Sequence, residues 1–187
     1  MWSDLIEGET RDGFGFILKG RVNDVGYQSI TVPGSLKAYA EAQEAWGRLS
    51  WADVMQPAIA EANTGAIVRP HVYNWWTTND GSGRVLSAER LGLTASGRQI
   101  YFNKDGSLKR VGERLNNPEM ADTLRHLAAR GAEDFYTGEL AGHIASDMMA
   151  NEGLLSAQDL SDYSTCHGKP LRGDYRGLKV ATNQPPG

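Results

Sequence analysis

The chain has 187 residues, 40% of them hydrophobic and 22% charged, the usage of a globular chain rather than a disordered or fibrous one. That length predicts one domain, or slightly more, able to bury roughly 70% of its unfolded surface without staples. Nineteen basic and twenty-three acidic side chains leave a net charge of -4, and no Lys/Arg run exceeds two residues, which argues against a generic nucleic-acid binder. Cys166 is the only cysteine, so neither an intrachain disulfide nor a multi-thiolate metal cluster can form. The longest apolar run near the start is Phe16, Ile17 and Leu18, and Asp4, Glu7, Glu9 and Asp12 crowd the first dozen residues. Neither a membrane span nor a leader peptide is expected from that chemistry.

In chain order, the opening third reads as β-rich. Residues 13–22 are aromatic and branched, and 27–32 form a second extended run broken by Pro33 and Gly34. Gly13, Gly15 and Gly20 do not make a phosphate loop: Leu18 stands where the dinucleotide pattern needs glycine, and no Lys-Ser/Thr pair follows. Ser35 is expected to cap a helix carrying Leu36, Tyr39, Ala40 and Trp46, with Gly47 as its stop. Ser50 and Asp53 resemble a capping box opening a second helix, bent at Pro57 and ending near Gly65. With only Gly47, Arg48 and Leu49 between them, the two helices are expected to pair as a hairpin. Residues 67–98 show no clear period, with Trp75 and Trp76 read as partly buried anchors under a loop rather than a ligand-stacking surface, and 80–83 as a turn.

Gln99, Ile100, Tyr101 and Phe102 read as a strand closed by a turn at 103–106. Asn117 as N-cap, Pro118 at the first helical position and Gly131 as stop frame a helix with Met120, Leu124, Leu127 and Ala128 on one face. Another helix follows from Gly138, carrying Leu140, Ala141, Ile144, Ala145 and Met148, and ends at Gly153. Ser156 and Asp159 open a short helical turn. Leu171 to Tyr175 and Leu178 to Thr182 flank Arg176 and Gly177 as a hairpin. The order β, α, mixed, α, β predicts an α+β, or layered α/β, domain.

The residues alone do not assemble a catalytic constellation. His71, His126, His143 and His167 lack a His-Glu-x-x-His spacing, and a lone helical histidine is expected to be a surface or core residue rather than a metal ligand. Cys166 and His167 are neighbours in sequence, whereas a nucleophile and its base need spatial convergence. Gly81, Ser82 and Gly83 lack the strand-to-helix setting of a nucleophile elbow. Arg48, Arg69 and Arg110 are expected to be solvated charges rather than carboxylate clamps.

Two blocks carry a resemblance. The first comprises residues 31–39 (with Pro33 and Gly34), 46–51 and 56–60. The second holds Asp105, Gly106, Gly112, Asn117, Pro118, Ala121, Thr123, Leu124, Gly131, Phe135, Tyr136, Gly138, Ala141 and Ile144. It continues through Gly153, Leu154, Leu155, Asp159, Leu160, Tyr163, Pro170, Leu171, Tyr175, Arg176 and Gly177 to residues 184–187. From Gln28 onward the chain resembles the large chain of gamma-glutamyltranspeptidases.

That resemblance implies an N-terminal nucleophile hydrolase with an αββα core, residues 1–187 being one incomplete domain from the central and C-terminal part of the large chain. It further implies a self-cleaving precursor whose small chain starts with a threonine. The threonine hydroxyl, with its own α-amine as base, would attack a gamma-glutamyl amide and pass the acyl group to an amino acid or to water. In the family that threonine lies beyond the segment at 184–187, and the glutamate-binding arginine lies in a Phe-Arg-Glu motif with no counterpart here; neither Arg11 nor Arg21 aligns with it. No catalytic residue is therefore assigned within the chain, the substrate-binding residues are left unassigned, and the chain is expected to be inactive alone. The implied chemistry needs no metal or cofactor. The expected partners are the small chain and a gamma-glutamyl small molecule, with no nucleic acid or membrane, and the compartment stays open. A non-catalytic scaffold and a related cephalosporin- or glutaryl-type amide acylase remain as alternatives.

Overall fold

The computed structural model describes residues 2–10, 13 and 15–184. Its elements are β1 (Ile6–Glu9), β2 (Phe16–Leu18), α1 (Ser35–Trp46), α2 (Trp51–Thr64), β3 (Ala66–Ile67), α3 (Pro70–Thr77), α4 (Ser87–Leu91) and α5 (Ala95–Tyr101). Then come β4 (Arg114–Leu115), α6 (Pro118–Arg130), α7 (Asp134–Thr137), α8 (Glu139–Ala150), α9 (Ala157–Asp162), β5 (Leu171–Tyr175) and β6 (Leu178–Thr182). The strands pair antiparallel in twos: β1 with β2, β3 with β4, β5 with β6. Among the described residues no helix is long and apolar enough to cross a membrane.

The capping signals account for most helix starts. Ser50 Oγ accepts from the Asp53 amide at 3.1 Å, and Asn117 Oδ1 accepts from the Met120 amide at 3.0 Å with Pro118 in the first turn. Ser156 and Asp159 complete a reciprocal capping box at α9. Gly65 and Gly131 end α2 and α6. Pro57 lies inside α2, which runs on without a break through Thr64.

The start of α1 differs from expectation. Ser35 is its first helical residue, and the N-cap is Gly34, which has no side chain to offer. The acceptor for that turn comes from far along the chain: the Tyr136 hydroxyl accepts from the Lys37 amide at 3.0 Å and donates to the Pro33 carbonyl at 2.7 Å. A helix leaves its first amides without internal partners, so Tyr136 does here what a local serine would otherwise do.

Packing also rearranges the expected helix pair. The apolar face of α2 meets α6 rather than α1: Met55, Ile59 and Leu127 form one core, bordered by Leu36, Trp51, Leu124, Ala128, Phe135 and Leu140. Trp51 Nε1 donates to the Leu127 carbonyl at 3.0 Å and fixes the pairing. A second core gathers Tyr136, Ala141, Met148, Leu155 and Leu160, covered by Tyr27, Val32, Leu36, Phe135, Ile144 and Tyr163. Leu36 and Phe135 border both cores. The buried Met55, Ile59, Leu127, Met148, Leu155 and Leu160 side chains each contribute on the order of 1.5–3 kcal/mol of transfer free energy. The faces of α1 and α6 are less uniform than their periodicity suggests, since Tyr39, Trp46 and Met120 are exposed.

Several local expectations are corrected. Residues 27–32 are not a strand; Tyr27–Ser29 is a single 3-10 turn that sends Tyr27 toward the second core. Of residues 13–22 only Phe16–Leu18 is extended, paired with Ile6–Glu9, and Phe14 lies outside the described residues. The segment at 99–102 is helical through Tyr101, because Thr94 Oγ1 caps α5 at the Gly97 amide and Tyr101 packs edge-on against Trp76 at 5.6 Å. Tertiary packing outweighs the β preference of Ile100 and Tyr101. Within 67–98 the chain forms α3 and α4. Trp76 is buried as expected, but Trp75 is exposed.

The closing hairpin matches its sequence. Leu171 pairs with Thr182 and Tyr175 with Leu178. Arg176 (φ 49) and Gly177 (φ 80) both take left-handed backbone, as a two-residue type I′ turn requires. All ten strand residues are exposed, so this hairpin has no core of its own.

Candidate functional site

Three clusters of chemically capable side chains stand out. In the first, His126 Nε2 lies 2.8 Å from Asp134 Oδ2, with Arg130 Nε 3.9 Å from Oδ1. Asp134 also accepts from the amides of Leu140 (3.2 Å) and Glu139 (3.4 Å). It therefore caps α8 while α6 holds it from behind. The His126 hydrogen bond, then the two amides, hold its carboxyl below the usual carboxylate range. Both carboxylate oxygens are occupied by this clamp, which ties the end of α6 to the start of α8.

In the second cluster Glu41 of α1 meets the segment entering β5. Thr165 Oγ1 donates to Glu41 Oε2, and His167 Nε2 lies 2.9 Å from the same oxygen and 3.3 Å from Thr165 Oγ1. The Thr165 hydroxyl, with His167 adding to it, holds the Glu41 carboxyl below its ordinary range. The residue types invite comparison with a hydroxyl–imidazole–carboxylate triad, but the wiring differs. A triad needs the hydroxyl proton directed to one ring nitrogen and the carboxylate on the other. Here Thr165 and His167 share one carboxylate oxygen, and a single ring nitrogen makes both contacts. The cluster straps the hairpin's approach to α1.

The third is a polar pocket of about 390 Å³ lined by Asn23, Asp24, Ser29, Arg84 and Arg90. Asp24 Oδ2 accepts from the Val85 amide at 2.7 Å, Arg90 Nη2 donates to Oδ1, and Arg21 Nη1 lies 4.0 Å from Oδ2.

The remaining candidates stay apart. His71, His143, Arg48, Arg69 and Arg110 are exposed and do not converge, and Cys166 is exposed. Arg21 donates to the Gly83 carbonyl, while Arg11 lies outside the described residues. Ser82 is buried and accepts from the Arg84 amide at 3.2 Å, in a turn rather than an elbow. Among the described residues no three His, Cys, Asp or Glu side chains group as metal ligands. Sequence reading missed the Glu41–Thr165–His167 and Asp24–Arg90 groupings because Glu41 lies 124 residues from Thr165 and Asp24 lies 66 from Arg90, with no spacing motif to join them. His126 and Asp134, eight residues apart, straddle a helix end and carry no signature either.

The comparisons with known proteins decide the family. The sequence profile described as gamma-glutamyltranspeptidase matches residues 10–187. The chain belongs to the gamma-glutamyltranspeptidase family. Relatives include the acylase ACY 1 proenzyme of Pseudomonas sp. (strain SE83), 35% identical over 184 residues, which are 98% of this chain and 30% of the relative. The glutathione hydrolase proenzyme of Pseudomonas sp. (strain A14) is 32% identical over 177 residues, covering 94% and 29%. Among solved structures, the gamma-glutamyltranspeptidase of Pseudomonas nitroreducens superposes with a TM-score of 0.72 at 27% identity over 97% of this chain and 50% of that one. The cephalosporin acylase of Bacillus halodurans gives 0.66 at 32% identity over 84% and 29%. This family member thus spans about 30% of the length of the two proenzymes.

The gamma-glutamyltranspeptidase fold is that of an N-terminal nucleophile hydrolase, and the chain is an α+β portion of it. Several residues of the two blocks that carry the resemblance form one contact group. Tyr136 stacks on Tyr163 with ring centroids 5.9 Å apart, bonds Pro33, and faces the Lys37 ammonium at 4.9 Å, while a side chain at Gly34 would overlap the Tyr163 ring. Pro185, Pro186 and Gly187, the end of the second motif block, lie outside the described residues.

Proposed function

We propose that this chain forms part of the large chain of a gamma-glutamyl amide–cleaving enzyme. The reaction would run by acyl transfer: a threonine hydroxyl outside these 187 residues attacks the amide carbonyl, and the C–N bond breaks as the leaving amine takes a proton. The acyl group then passes to an amino acid or to water. The carrying observation is that the family profile spans residues 10–187 while relatives named as proenzymes extend well beyond them.

In this reading the residues seen here build and present a scaffold rather than react. Tyr136, Pro33 and Tyr163 fix the start of α1, and the Glu41 strap holds the approach to β5. The β5–β6 hairpin, exposed on both faces, offers strand edges and apolar side chains for the remainder of the enzyme to complete. An isolated two-stranded hairpin is marginal in water, which supports the reading that a small chain packs against it. A chain limited to these residues would then be inactive.

A second reading, an amide acylase acting on cephalosporin- or glutaryl-type substrates, is favoured by the identities: 35% with the acylase ACY 1 proenzyme and 32% with the Bacillus halodurans cephalosporin acylase. The test is to express the complete coding sequence and the 187-residue chain separately, and to assay a gamma-glutamyl anilide beside a glutaryl anilide. Self-cleavage with hydrolysis of the gamma-glutamyl compound, and no turnover by the 187-residue chain, is the expected result. Turnover of the glutaryl compound alone would establish the acylase reading. Neither cleavage nor turnover would leave a non-catalytic scaffold.

A further inference from the structure

A pocket of about 410 Å³ opens where α4 ends, α5 closes and the turn at 103–106 begins, lined by Gly92, Arg98, Phe102, Asn103, Lys104 and Gly106. None of these residues belongs to either helical core. Two of them are cations, and no carboxylate is among them. Asp105 and Glu113, the acidic residues in and after the turn, are committed elsewhere. Asp105 Oδ1 accepts from the Ser107 amide at 2.9 Å and the Ser107 hydroxyl at 2.7 Å, and Glu113 Oε2 accepts from the Arg110 amide at 2.5 Å.

The cations are left with little to bind. Lys104 makes no hydrogen bond or ion pair among the described residues, and the Arg98 guanidinium reaches only the Leu93 carbonyl, at 3.5 Å. Both side chains are exposed, so a ligand can approach them. The wall beside them is aromatic: a Cβ at Gly92 would lie 3.2 Å from Phe102 Cζ, so any larger residue there would press on the ring. Gly92 has φ -95°, which every residue adopts, so what this glycine leaves open is space rather than backbone freedom. An apolar surface edged by a few polar groups is the general make-up of a small-molecule site. A guanidinium and an ammonium beside a ring suit a carboxylate carried on a flat apolar body.

We propose that this pocket binds a small aromatic carboxylate, with its ring against Phe102 and its carboxylate held by Arg98 and Lys104. The site goes beyond the acyl-transfer reading, since it uses neither a nucleophile nor the hairpin.

The test is calorimetric titration of the polypeptide expressed from its complete coding sequence with benzoate, acetate and benzylamine. Benzoate binds; acetate, lacking the ring, binds roughly tenfold more weakly, the scale of burying part of an aromatic side; benzylamine, carrying the wrong charge, gives no saturable heat. Arg98→Gln and Lys104→Gln each weaken benzoate roughly tenfold, the scale of one charge-assisted hydrogen bond, and Gly92→Leu abolishes its binding by covering the ring. Each variant is checked for an unchanged circular dichroism spectrum. If Gly92→Leu misfolds, the two charge variants decide, because both replace exposed side chains. No saturable heat with benzoate, equal affinity for benzoate and acetate, binding of benzylamine as tight as that of benzoate, or benzoate binding indifferent to Arg98→Gln and Lys104→Gln would each overturn the proposal. The last result would place the ligand elsewhere, including at the acyl-transfer centre.

Discussion

The Tyr136 hydroxyl accepts the Lys37 amide proton at 3.0 Å, so α1 takes its cap from a residue 99 positions away. The same oxygen donates to the Pro33 carbonyl, and the ring is 1% exposed. Tyr136→Phe keeps the packing but leaves a helix amide and a carbonyl without their partner. The expected loss is about 1–3 kcal/mol, read as a drop of several degrees in melting temperature and an earlier urea midpoint with an unchanged slope. A variant within error of the parent would remove the capping role.

Gly34 has ordinary negative φ (-86°), so its requirement is one of space rather than of backbone. A Cβ there would overlap the Tyr163 ring that stacks on Tyr136. Gly34→Ala is expected to cost about 1–3 kcal/mol through overpacking. In a Tyr163→Ala background the same change should cost almost nothing, and a double-mutant cycle measures that coupling. Additive penalties would show that the two residues do not collide.

Stability should depend on acid through Asp134. Its folded carboxyl titrates below the ordinary range, chiefly because His126 bonds the ionised form. A depressed folded value means the contribution is fully present above the unfolded value, about 3.9 for aspartate, and disappears as pH falls through the folded one. Urea midpoints measured from pH 6 down to pH 3 should therefore decline, and Asp134→Asn should start lower and decline less steeply over that span. Parallel curves for the two proteins would argue against the assignment.

Leu171, Tyr175, Leu178 and Val180 project from β5 and β6 into solvent. Exposed strands with apolar side chains are templates for association. The 187-residue chain on its own is expected to self-associate, with sedimentation showing species beyond the monomer at micromolar concentration. Leu178→Lys with Val180→Lys should shift it toward monomer without altering the melt of the helical cores. A monodisperse, cooperatively melting parent would instead indicate a self-sufficient module.

Local chemistry fixed much of this molecule in advance. Ser50, Asn117 with Pro118, Ser156 with Asp159, and Arg176 with Gly177 each specify a boundary through atoms only a few residues apart, so α2, α6, α9 and the hairpin turn were legible in the sequence. The family, too, was legible from spaced glycines, prolines and tyrosines. Tertiary structure decided what depends on distant partners. Gly34 cannot cap α1, and only the folded chain brings Tyr136 to it; Ile100 and Tyr101 prefer strands, yet Thr94 and Trp76 hold them in a helix. The link at 47–49 is short enough for a hairpin of α1 and α2, but α2 finds its apolar complement on α6. The groupings of Glu41 with Thr165 and His167, and of Asp24 with Arg90, likewise carry no trace in sequence, because nothing in a residue's neighbours along the chain records which charge will stand opposite it in space.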